Sequence, residues 1–139
     1  MSIYVPSELR KRVRDHFDNS CAYCQTAESL TVAIFEIEHI HPRSAGGETV
    51  FENLCLACPT CNRYKSDRIT AATSDDREVG LFNPQRDDWT EHFYWSDDGA
   101  ELLSRTSIAE VTIKLLKMNR PQLVRVRRMW VAMNEHPPK

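Results

Sequence analysis

The stretch that decides the fold runs from residue 38 to residue 68, EHIHPRSAGGETVFENLCLACPTCNRYKSDR. Near its end Cys58 and Cys61 form a CxxC pair, and Cys21 and Cys24 form a second pair upstream. Each pair can offer two thiolates to one ion, and two pairs complete a tetrahedron with Zn–S bonds near ~2.3 Å. Thiolates select a soft or borderline metal, for which zinc is the usual choice, and a closed four-sulfur site leaves no position for water or substrate. The expected zinc is therefore structural, stapling an N-terminal helix to the start of a helix at residue 59, around a two-stranded insertion. Cys55 reads as a plain core cysteine.

Working outward, residues 30–40 are β-branched and aromatic and read as a strand ending in Glu36, Glu38, His39 and His41. Pro42 to Gly47 is a loop, a second strand lies near 53–57, and Pro59 opens a helix expected to reach about Ala72. Residues 6–18 form the N-terminal helix on the repeat Leu9, Val13, Phe17, with Arg10, Lys11, Arg12 and Arg14 on its other faces. Residues 73–90 read as a polar loop. Asp97-Asp98-Gly99-Ala100 joins strands at 92–96 and 100–104. A capping box at Ser107–Glu110 opens a helix to about Met118, and Pro121 starts a last helix to about 134 with an apolar stripe of Leu123, Val126, Trp130 and Met133.

With 139 residues, 41% hydrophobic and 27% charged, the composition is that of a globular chain of one domain, 1–139. No window reaches the ~18 apolar residues of a membrane span, so no membrane partner is expected. Unpaired, metal-spaced cysteines suit the reducing cytoplasm better than a disulfide framework. The net charge of −2 conceals a segregation, −7 over residues 71–110 (ten acids, three bases) and +6 over 111–139 (seven bases, one acid). A basic tail segment permits a polyanionic partner without requiring one.

Between the cysteine pairs, Glu38-His39, Asn53-Leu54 and Asn62 follow one another with Pro42, Ser44, Gly46-Gly47, Lys65 and Arg68 in the same frame. In residue type and order, about residues 20–72 resemble the HNH endonucleases, the ββα-metal (His-Me finger) nucleases, in their four-cysteine zinc subclass. The C-terminal stretch, from LFNP at 81–84 to the final basic helix, is similar to the tail of small bacterial proteins carrying this motif. The resemblance implies an α+β fold: a ββα-metal core with a four-cysteine structural zinc site, flanked by the N-terminal helix, a C-terminal hairpin and a helical extension over about 105–134.

The resemblance further implies a metal-dependent endonuclease that hydrolyses DNA phosphodiesters. His39 becomes the general base that activates water, Glu38 and Asn62 the ligands of a divalent ion, and Asn53 the residue that holds the base and its loop. His41 is the rival base, two residues further on. A carboxylate and an amide oxygen suit Mg²⁺ or Mn²⁺, with Ni²⁺ possible, and a neutral imidazole accepts a proton near pH 7. Glu38 stands where Asp is most usual in the family and Asn62 where many members carry a second His. Arg43, Arg63, Lys65 and Arg68 are the candidate phosphate contacts, and Arg120, Arg125, Arg127 and Arg128 could grip a backbone from the last helix. The alternative is a non-catalytic, zinc-stapled nucleic-acid-binding module with a degenerate site. A monomer would nick and a homodimer could cut both strands.

Overall fold

In the computed structural model, which describes residues 4–138, the strand expected over 30–40 shortens to β1 (Glu36–His39). Its partner β2 (Leu54–Ala57) pairs antiparallel with Glu36 opposite Ala57 and His39 opposite Leu54. β2 ends there because Cys58 caps the next helix and Pro59, without an N–H, cannot extend a ladder. Residues 31–35 therefore have strand propensity but no strand to pair with, and Val32 and Ile34 are left exposed. Glu28 takes over the local bonding: its carboxylate accepts from Phe35 N at 2.7 Å and from Arg14 at 2.7 Å. The Arg14 hydrogen bond, partly offset by desolvation, holds the Glu28 carboxyl below its ordinary range.

α1 (Ser7–His16) buries Val13 against β2, and α2 (Pro59–Lys65) packs on β1. The helix expected to reach Ala72 stops at Ser66, whose φ of 51° and ψ of −131° break the spiral. That backbone state costs a non-glycine residue on the order of 1–3 kcal/mol, and the fold tolerates it at the helix end. Residues beyond it join a hairpin the sequence reading did not foresee, β3 (Thr70–Ala72) with β4 (Glu78–Gly80). The Thr73–Arg77 turn closes it, with Asp76 at φ 63°. β3 is Thr-Ala-Ala and β4 Glu-Val-Gly, and strands of three residues are too short to carry a readable period.

The remaining elements are α3 (Trp89–His92), the hairpin β5 (Phe93–Trp95) and β6 (Leu102–Ser104), α4 (Ser107–Leu115) and α5 (Pro121–Ala132). The α4 cap sits one residue earlier than expected, at Thr106, whose Oγ1 accepts from Ala109 N at 3.1 Å and meets His92 Nδ1 at 2.7 Å. By contact the chain forms two compact units. The first holds the described residues through Ile69 plus Asn83–Arg86, and the second holds Thr70–Phe82 and the described residues from Asp87 onward. In the first, Val13, Tyr23, Leu54 and Leu56 are fully buried, and Gln85 donates to the carbonyls of Phe51 and Leu54 at 2.9 Å each.

In the second unit Arg127 is fully buried, with Nη1 donating to Ala100 O at 3.0 Å and to Asn119 Oδ1 at 3.1 Å, beside the Trp95 ring. It cannot be one of the basic groups offered to nucleic acid. Met133, expected in the α5 stripe, is exposed, and Val124 takes a buried place instead. No helix among the described residues is long and apolar enough to cross a membrane.

Candidate functional site

The four expected zinc ligands converge. Cys21 to Cys24 lie on a tight turn in which Gln25, at φ 64°, returns its N–H to Cys21 O, while Ala22 N bonds Leu56 O and ties the turn to β2. Cys58 caps α2, its sulfur accepting from Cys61 N at 3.4 Å. All four sulfurs lie within 4.8 Å of one another, with Cys24 and Cys58 at 3.9 Å. A tetrahedron with ~2.3 Å Zn–S bonds has edges of about 3.8 Å, so the buried cluster has the chemistry and dimensions for zinc. Burial pushes the Cys21 thiol up, whereas hydrogen bonds from Cys21, Cys58 and Cys61 draw Cys24 down toward its thiolate. Cys55 is a buried core residue apart from this cluster, as expected, and donates to Glu38 Oε2 at 3.3 Å.

Beside β1 and α2 lies a cleft of about 360 Å³ whose lining includes Glu38, His39, Arg43, Ser44, Asn62 and Asp67. It brings together the imidazole, the carboxylate and the amide singled out in the sequence. His39 Nε2 meets Thr49 Oγ1 at 2.8 Å. Burial, and then the Arg43 guanidinium, hold the imidazole below its ordinary pKa, which keeps it neutral near pH 7. His41 is absent from the cleft lining and its Nε2 is engaged by Ala45 O at 2.9 Å.

Asn53 pins the intervening loop. Its Oδ1 accepts from His41 N at 2.8 Å, and its Nδ2 donates to His41 O at 3.0 Å and Glu48 O at 2.9 Å. The same loop explains the glycine pair. Gly46 adopts φ 90°, and a Cβ on Gly47 would stand 1.8 Å from His41 O.

Glu38 is buried, and Lys65, Cys55 and Tyr23 turn toward it, with Lys65 Nζ 3.2 Å from Oε1. Burial raises the Glu38 carboxyl above its ordinary range, with Lys65 the chief opposing influence. Lys65 is 1% exposed and donates to Ile40 O at 2.9 Å, so the expectation that it touches a phosphate is corrected: its ammonium is an internal counter-charge. Arg43, Arg63 and Arg68 are exposed. Asn62 Nδ2 donates to Glu36 Oε1 at 2.7 Å, a partner the sequence reading missed. The signal was there, since Glu36 and Glu38 fall on one strand face and Asn62 and Lys65 one turn apart on a helix. Thr49 had no such signal, because loop contacts have no period.

A strand pair, a helix, a thiol cluster and a His-lined cleft together make a ββα unit in the first of the two compact units. Residues 21–68 match the family described as HNH endonuclease, and the chain carries an HNH domain there. Among curated proteins it is similar to the Septu protein PtuB of Bacillus mycoides (strain KBAB4), 27% identical over 151 aligned residues. That alignment takes in 89% of this chain and 51% of the relative, so the chain spans about half the length of the protein it matches. No solved structure matches significantly.

Proposed function

We propose that this chain is a metal-dependent endonuclease hydrolysing DNA phosphodiesters, with His39 as general base, Glu38 and Asn62 as ligands of a divalent ion, and zinc at Cys21, Cys24, Cys58 and Cys61. The observation that carries the reading is one cleft lined by an imidazole held neutral, a carboxylate and an amide, within an HNH segment. The donor set fits a hard cation such as Mg²⁺ or Mn²⁺: a carboxylate and an amide whose NH₂ already donates elsewhere, leaving its oxygen for the ion. When bound, such an ion supplies positive charge beside the phosphate and its departing oxygen.

The chain's own residues do the rest. The role of general base calls for the tautomer in which Nε2–H donates to the Thr49 hydroxyl 2.8 Å away, so that Nδ1 takes a proton from the attacking water. Asn53 holds the loop after His39 and so fixes the imidazole's approach. Arg43, exposed at the cleft, meets the phosphate, and Arg63 and Arg68 contact the flanking backbone. A cytoplasmic setting suits the buried thiol cluster.

One observation favours the second reading, a non-catalytic nucleic-acid-binding module: Glu38 already has a cationic partner in Lys65. Plasmid nicking with Mg²⁺, Mn²⁺ or Ni²⁺, comparing wild type with His39→Ala, separates the two. Nicking by wild type that falls at least a hundredfold in the variant is the expected result. DNA retardation by both proteins without nicking under any of the three metals supports the binding module.

A further inference from the structure

β1 and α2 face each other through two rungs. The inner rung is Glu38 with Lys65, buried, and the outer is Glu36 with Asn62, where a solvent-exposed carboxylate accepts from an amide at 2.7 Å. The outer rung has a chemical asymmetry that the inner one lacks. An amide's two ends have nearly the same shape and opposite polarity, so an unheld Asn62 would turn N–H as readily as C=O toward the cleft it lines. N–H repels a cation. A carboxylate accepts only from the NH₂ end, so it selects one of the two orientations.

We propose that Glu36 is a positioning residue: by engaging Nδ2 of Asn62 it fixes the amide with Oδ1 as the group offered to a hard divalent cation. This rests on the reading that Asn62 serves such a cation. Glu36 does not line the cleft, and it acts through Asn62 rather than on substrate. Carboxylates in this outer position commonly tune metal affinity about 10–100-fold.

The test is Mn²⁺ binding to the zinc-loaded full chain, followed by electron paramagnetic resonance of free Mn²⁺ across seven proteins. These are wild type, Glu36→Ala, Glu36→Gln, Asn62→Ala, the Glu36→Ala/Asn62→Ala double variant, Asn62→Asp, and Glu36→Ala combined with Asn62→Asp. Glu36→Ala weakens binding about tenfold or more, and Glu36→Gln does likewise because glutamine can also donate to the amide oxygen. In the Asn62→Ala background the loss of Glu36 has no further effect, since there is no amide left to orient. With Asp at position 62, removal of Glu36 leaves affinity unchanged or tighter, because a carboxylate has no wrong end and two acids repel. A general electrostatic or fold-supporting role would instead weaken Mn²⁺ in every background and overturns the proposal. So does wild-type affinity in Glu36→Ala while Asn62→Ala weakens binding, and in that case the cation site itself stands. If wild type and Asn62→Ala bind alike, the cation reading fails and the Glu36 proposal goes with it.

Discussion

His39 is depressed below the usual imidazole range first by burial and then by Arg43, a sign that favours a base over an acid near neutrality. The acid limb of kcat/KM is therefore expected below about pH 6.5, and Arg43→Gln is expected to move it upward. A pH profile from 5 to 8, with zinc content checked at each point, tests this. A limb at or above the free-imidazole value, unmoved in Arg43→Gln, contradicts it. Glu38 and Lys65 give a second residue-level expectation. Lys65→Met leaves a buried carboxylate without its cation and costs about 3–5 kcal/mol at neutral pH. The sign with pH follows from linkage. Burial already raises the folded Glu38 pKa, and losing Lys65 raises it further, so the folded state binds more protons than the unfolded one over a wider window. The variant's deficit therefore grows from pH 6 to pH 8 in denaturant titrations. A deficit that shrinks over that range would mean Glu38 and Lys65 are not coupled.

At the scale of elements, the thiol cluster joins the Cys21–Cys24 turn to the start of α2, and Ala22 N carries the tie on to β2. Metal-bound thiolates contribute on the order of ten kcal/mol to small zinc folds. Chelation, or Cys61→Ser, is expected to abolish hydrogen-exchange protection across β1, β2 and α2, whereas His39→Ala leaves it in place. Equal damage from both changes would erase the distinction between scaffold and chemistry. These same elements mark the limits of the sequence reading. β2, the α2 start and the hairpin at Asp97–Gly99 were legible because cysteine spacing, Pro59 and Asp-Gly act locally. The true length of β1 was not, because it is set by where its partner ends. Nor was the α2 stop at Ser66, a polar residue in a backbone state that sequence rarely announces.

Over the whole molecule, charge is sorted along the chain, and burial decides which charges count. Arg63 and Arg68 are exposed, while Lys65 between them and Arg127 in α5 are interior, although composition treats all four alike. Each exposed cation that meets a phosphate adds about 0.9 to the salt slope of duplex binding. Replacing Arg63 and Arg68 together by Gln is accordingly expected to lower that slope by up to about two and to weaken binding of all sequences alike. Fluorescence anisotropy between low and moderate salt measures it, and an unchanged slope would remove both residues from the interface. Of the candidate site, the imidazole, carboxylate and amide were legible as a motif. Glu36, Thr49 and the inward turn of Lys65 required the folded chain, because each is defined by what stands opposite.

The central claim is that the His39 imidazole moves the proton of the attacking water, and imidazole rescue of His39→Gly tests it most directly. Added imidazole is expected to restore plasmid nicking to the zinc-loaded variant in a saturable, pH-dependent way while leaving wild type unaffected. Residual nicking that is the same with and without imidazole, or undiminished in the variant, would contradict the account.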